Sequence, residues 1–209
     1  MLHGCGGCCF LVVLIVLLCC VLVVAGVIYV ATNAPEAPLS KNFVPSTAQA
    51  QAFQSVLDTA EANARQQGWF WLRFDQSQLS SWMALQGETF AEEHGDPFPF
   101  SDVQVAIDDG AFIFYGELQY PDYETLSLPL SVEIEPQIDS AGTFGFDITS
   151  VDVGGFKVPD FVITTVEDQF EELLVKPFEK IGETVIFYPE TLTADNGVFE
   201  VQGYVQQQP

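Results

Sequence analysis

The chain has 209 residues, enough for one domain or two small ones with a short appendage. Six Lys+Arg against 29 Asp+Glu leave a formal net charge of −23, which excludes gripping a nucleic-acid backbone through clustered cations. A hydrophobic fraction of 48% and an aromatic fraction of 13% exclude a disordered acidic tail as well.

The first charged side chain is Glu36. Ahead of it, Phe10 to Val30 is continuously apolar apart from Gly26 and the Tyr29 phenol. At about 1.5 Å per residue this run reaches roughly 32 Å, the thickness of a hydrocarbon core. A cleaved signal peptide would carry a basic n-region and a shorter apolar stretch. The pattern therefore predicts a short tail over 1–9, an uncleaved transmembrane helix over 10–31, a Pro-rich linker over 32–45 and an acidic domain over 46–209. The membrane is the expected partner, and the expected localisation is single-pass in the cell membrane with the C-terminal domain outside. Lys41 is the only nearby cation, so the loop-charge rule adds nothing to that orientation. All five cysteines, Cys5, Cys8, Cys9, Cys19 and Cys20, precede the acidic domain, which excludes a disulfide framework there.

Beyond the linker, Ser46 or Thr47 can cap a helix whose Phe53, Val56, Leu57, Ala60 and Ala64 recur at 3–4 spacing before Gly68. WFWLRF at 69–74 has strand composition. Asp75 and Gln78 then form a D-x-x-Q cap for a short helix carrying Leu79, Trp82 and Met83. The stretch 87–101 shows no period and reads as a long loop. From 102 the period becomes two, with a hairpin turn at Asp109-Gly110, a strand through Leu126 to Ile134, and TFGFDITSVDV after it. Pro129 places its strand at an edge or bulge. After Pro159-Asp160, Ile163, Val166, Phe170, Leu173 and Phe178 mark the buried stripe of a long helix that Pro177 kinks or breaks. A last hairpin turns at Asn196-Gly197. The pattern G-x-F-x-[FV]-x-G occurs at Gly110–Gly116 and again at Gly197–Gly203. A looser copy covers 142–146. Each copy sets two apolar residues on one strand face.

No catalytic or cofactor motif is present: there is no G-x-S-x-G, P-loop or G-x-G-x-x-G, and no cysteine follows Cys20. The only acid–imidazole cluster, Glu92-Glu93-His94-Gly95-Asp96, lacks EF-hand or H-E-x-x-H spacing and reads as a solvated loop. The expectation is a non-enzyme without a cofactor or metal. Trp69, Phe70, Trp71, Trp82, Phe98 and Phe100 gather before the sheet, where they line an apolar pocket or, more plainly, fill a core.

Gly154-Gly155-Phe156-Lys157-Val158-Pro159, leading into a helix and a last N-G hairpin, resembles the YpmS-like and LmeA-like group of single-pass bacterial envelope proteins. The resemblance spans roughly 75–205, with Val158 where the group has Ile or Leu. It implies a curved antiparallel sheet wrapped on a helix, as in tubular lipid-binding domains, and a lipid or other amphiphile as ligand. It brings no catalytic residues.

The expected fold is therefore α+β: an N-terminal transmembrane helix and one domain of mainly antiparallel curved sheet, about six strands, packed on a long helix. The expected function is binding of a lipid or lipid-like molecule. Its walls would be Phe112, Phe114, Phe144, Phe146, Phe199 and Val201 from the hairpins, with Phe170 and Phe178 from the helix. The alternative is a non-catalytic envelope interaction or regulatory module whose aromatic residues simply fill a packed core.

Overall fold

The structure is a computed structural model that describes residues 18–26, 28–30, 32–94, 100–120, 123–138, 144–158 and 185–207. Helix α1 comprises the helical residues among 18–26, 28–30 and 32–33. It is followed by α2 (Thr47–Gln67), β1 (Trp69–Asp75), α3 (Gln76–His94), β2 (Phe100–Asp108), β3 (Ala111–Tyr120) and β4 (Tyr123–Ile138). The chain continues through β5 (Phe144–Val153), β6 (Phe156–Lys157), β7 (Val185–Asp195) and β8 (Val198–Gln207).

Helix α2 buries Ala50, Phe53, Leu57, Ala60 and Ala64, the stripe its 3–4 spacing dictates. It stops at Gly68, whose φ of 68° is the left-handed cap that glycine adopts without a Cβ penalty. Ser46 occupies the N-cap position, but its side chain caps nothing; its backbone N–H donates to Ser81 Oγ at 3.2 Å. At α3 the reciprocal cap forms as the D-x-x-Q pattern requires. Gln78 N–H donates to Asp75 Oδ1 and Asp75 N–H to Gln78 Oε1, each at 2.9 Å. The helix then runs on to His94, so 87–94, expected to be loop, is helical. Of the rest of that expected loop, 95–99 lies outside the described residues and 100–101 already belongs to β2.

The strands form two antiparallel sheets rather than the single sheet expected. One is a five-stranded meander ordered β2-β3-β4-β5-β6, and the other is three-stranded, ordered β1-β8-β7. Two sheets arise because the last hairpin pairs with the distant WFWLRFD strand, Leu72 opposite Val201 and Phe74 opposite Phe199, instead of extending the meander. The two hairpin turns then meet. Asp109-Gly110 and Asn196-Gly197 all have positive φ, the geometry of a two-residue hairpin turn. Gly110 N–H donates to Ala194 O at 2.8 Å, and Gly197 N–H donates to Ile107 O at 2.7 Å. Each glycine thus bonds the residue three before the other's turn glycine. The sequence repeat is in this way a pseudo-symmetric pair of hairpins, one in each sheet. Gln76 seals the junction, its N–H donating to Gly197 O at 2.9 Å and its Oε1 accepting from Ile107 N–H at 3.3 Å.

The N-terminal helices pack on this frame. Phe53 of α2 meets Phe74 at a ring-centroid distance of 4.9 Å and Trp82 of α3 at 5.1 Å. Buried Ser80 pins α3 to β2, its Oγ accepting from Val105 N–H at 2.7 Å and donating to Val105 O at 3.0 Å. The helix expected after Pro159, with Phe170 and Phe178, lies outside the described residues. Among the described residues, α2 packs on β1 and α3 on β2.

The membrane expectation is corrected here. Among the described residues no helix is long and apolar enough to cross a membrane. A membrane partner and a single-pass localisation with the domain outside therefore lose their support. Residues 1–17 of the predicted tail and span lie outside the described residues. The end of α1 is instead committed to protein contacts. Tyr29 packs on Phe156 at 5.0 Å, and the Asn33 backbone lies against Gly155, where a Cβ would sit 2.8 Å from it.

The Pro-rich segment that follows is likewise held. Gln104 is fully buried at a bulge in β2; its Oε1 accepts from Leu39 and Ser40 N–H, and its Nε2 donates to Ser40 O and Asp102 Oδ1. Replacing Gln104 by alanine strands these partners, and the expected cost is about 1–3 kcal/mol. Limited proteolysis should show the 35–45 segment cut faster in that variant, and urea unfolding should show the lost stability.

Candidate functional site

Four of the eight residues expected to wall a ligand cavity are buried in the interior. Phe112, Phe114, Phe199 and Val201 are 0–7 % exposed, and Phe146 packs half-buried against them. The rings touch one another: Phe112–Phe199 at 5.0 Å, Phe74–Phe199 at 5.1 Å, Phe112–Phe146 at 6.2 Å and Phe100–Phe114 at 5.8 Å. These are the tilted and edge-on separations of packed aromatic cores. Phe144 lies in β5, opposite Ile138. Phe170 and Phe178 lie outside the described residues. The lipid-binding expectation gives way to a tightly packed interior among the described residues, in which Phe112, Phe114, Phe146 and Phe199 are one another's neighbours. Among the described residues, no group of three His, Cys, Asp or Glu stands close enough to hold a metal ion.

The feature the sequence reading missed is on the other side of the smaller sheet. Alternation along β1 sends Phe70, Leu72 and Phe74 inward and leaves Trp69, Trp71 and Arg73 outward. Register then composes a face of three rows. Trp69 stands opposite Tyr204, and Tyr204 opposite Tyr188. Trp71 stands opposite Gln202 and Gln202 opposite Thr191; Arg73 stands opposite Glu200 and Glu200 opposite Thr193. Trp69, Trp71, Tyr188 and Tyr204 are 37–58 % exposed, high for residues of that size. The period-two alternation of WFWLRF carried the signal, because it separates the two indoles from Phe70.

Hydrogen bonds hold this face in place. Trp71 Nε1 donates to Glu200 Oε1 at 3.0 Å, Gln202 Nε2 donates to the same oxygen at 2.7 Å, and Arg73 Nη1 pairs with Glu200 Oε2 at 3.0 Å. Trp69 Nε1 donates to Gln67 Oε1 at 2.8 Å. The Arg73–Glu200 pair is surface-exposed and contributes little stability by itself. Its effect is to orient Glu200 and, through it, the Trp71 ring.

The indole of Trp71, then the Gln202 amide, then Arg73 hold the Glu200 carboxyl below the ordinary carboxylate range. A lowered pKa means the network is intact above the ordinary glutamate pKa and is lost as pH falls through the depressed one. Tryptophan emission of the folded protein should therefore change in an acid step below the ordinary glutamate range. That step should be absent in Glu200→Gln; an unchanged step in the variant would assign it to another group.

No protein-family model matches this chain, and no curated protein matches it. The resemblance to the YpmS-like and LmeA-like group is therefore not upheld. The structure explains its central motif locally. Gly154 and Gly155 have φ of 60° and 88°, Gly155 N–H donates to Asp152 Oδ1 at 2.7 Å, and the pair makes the β5–β6 turn on which Asn33 sits. Positive φ at both positions favours glycine, and Gly155 has no room for a Cβ against Asn33, so the motif has a local structural cause.

Proposed function

We propose that this chain is a non-catalytic interaction module with a packed interior, engaging its partner through the outer face of the β1-β8-β7 sheet. One observation carries the reading: four large aromatic side chains stand exposed in adjacent register on one sheet face. Exposed aromatic residues that are already oriented suit recognition, because little side-chain freedom is lost on binding. The packed interior supports the same reading, since it leaves the surface to do the binding.

The test is a photo-activatable residue placed at position 71 of the full chain, in the cells that produce it, with exposed Gln49 on α2 as control. A discrete adduct from position 71 and none from position 49 is expected. No adduct at 71, or the same products from both sites, removes the proposal.

A further inference from the structure

The chemistry of this face restricts what it can recognise. Both indole N–H groups are already used, by Gln67 and by Glu200, so the ring faces are what the tryptophans offer a partner. The aromatic row Trp69-Tyr204-Tyr188 crosses three strands, spanning about 10 Å at the usual interstrand spacing. The rows beside it hold Trp71, Gln202 and Thr191, then Arg73, Glu200 and Thr193, and the flanking positions are Asp75, Val198 and Asp195 at one end and Ile186 with Gln206 at the other, so the aromatic row is bordered mainly by polar and acidic residues. Aromatic and polar side chains thus outnumber aliphatic ones on this face. Aromatic ring faces attract cations through their quadrupole, and a flat aromatic row suits the extended stems of Lys or Arg.

Charge selects in the same direction. The single cation of the face, Arg73, is neutralised by Glu200, and Glu190 is exposed at the bulge beside Tyr188. Over the whole chain 29 acids stand against six bases, a field that draws positive partners in and repels nucleic acids and acidic proteins. We infer that the aromatic row binds a Lys- or Arg-bearing segment of a partner protein, held by cation–π contacts over Trp69, Trp71, Tyr188 and Tyr204. This inference rests on the interaction reading above and names its partner class.

The experiment is calorimetric titration of the full chain with a short peptide alternating Lys and Ser, its Glu-Ser counterpart and a neutral maltooligosaccharide. The Lys-Ser peptide should bind, more weakly as salt is raised, and the other two should not. Replacing both indoles, Trp69→Leu with Trp71→Leu, should weaken that binding about tenfold. Asp58→Asn on α2 should leave it unchanged. Leucine keeps apolar area without a π-face, and a double Trp→Phe variant, which keeps a weaker π-face, should recover part of the affinity if the leucine pair folds poorly. Equal binding by the leucine and native chains would reduce the attraction to diffuse net charge and overturn the inference. Binding of the sugar in place of the Lys-Ser peptide would also overturn it, while leaving the interaction reading standing. Loss of the position-71 adduct, by contrast, would remove that reading itself.

Discussion

Truncating Phe199 to alanine is expected to lower folding stability by about 3–5 kcal/mol, the cost of removing a fully packed aromatic side chain. Phe199 is fully buried where both repeated hairpins meet, its ring in contact with Phe74 and Phe112. Phe74 in turn touches Phe53, so the same cluster ties α2 to both sheets. Neighbours held by that many other contacts cannot collapse into the space, and the cavity term adds to the lost burial. Urea unfolding monitored by circular dichroism measures the change. A loss below about 1 kcal/mol would mean that Phe199 does not sit in a packed core.

The second large effect is expected at Gly203. This residue is buried in β8 opposite Pro189, and a Cβ there would lie 2.7 Å from Pro189 Cα and against the Tyr188 carbonyl oxygen. Both neighbours are backbone, so no rotamer change relieves the clash and β7 must move away. Gly203→Ala should cost about 3 kcal/mol, at the upper end for overpacking. Because Tyr188 belongs to the aromatic row, the variant should also lose binding of the Lys-Ser peptide at temperatures where it remains folded. Gly145→Ala is the control, since nothing lies within 4 Å of its added Cβ. Its stability should stay within about 0.5 kcal/mol of the native chain. Equal effects at the two positions would show that β7 does not approach β8 as closely as described.

Much of the local structure was legible because its causes are local. The α2 stripe, the Asp75–Gln78 cap and the turns at Asp109-Gly110 and Asn196-Gly197 each depend on residues within a turn or two of one another. The repeat was legible for the same reason, as two copies of one hairpin. The helical 87–94 was missed because GETFAEEH shows no apolar period. Its helicity continues an already nucleated α3, and extension of a formed helix needs less than initiation. Pro129 shows the limit of a local rule. It lies in β4, third of five strands, yet β5 pairs with β4 only from Leu130 onward, so the proline falls just past its neighbour's end.

Composition and pattern alone therefore determined the acidic charge, the antiparallel hairpins and their turns, since these follow from side-chain chemistry and short-range geometry. Long-range pairing decided the rest. Joining β1 to β8 made two sheets out of one expected sheet and packed Phe74 against Phe112 and Phe199 in one aromatic core. The same pairing placed Trp69, Trp71, Tyr204 and Tyr188 on one exposed face. No local pattern encodes it, because strands far apart in sequence select one another only through the burial and hydrogen bonding gained once both are in place.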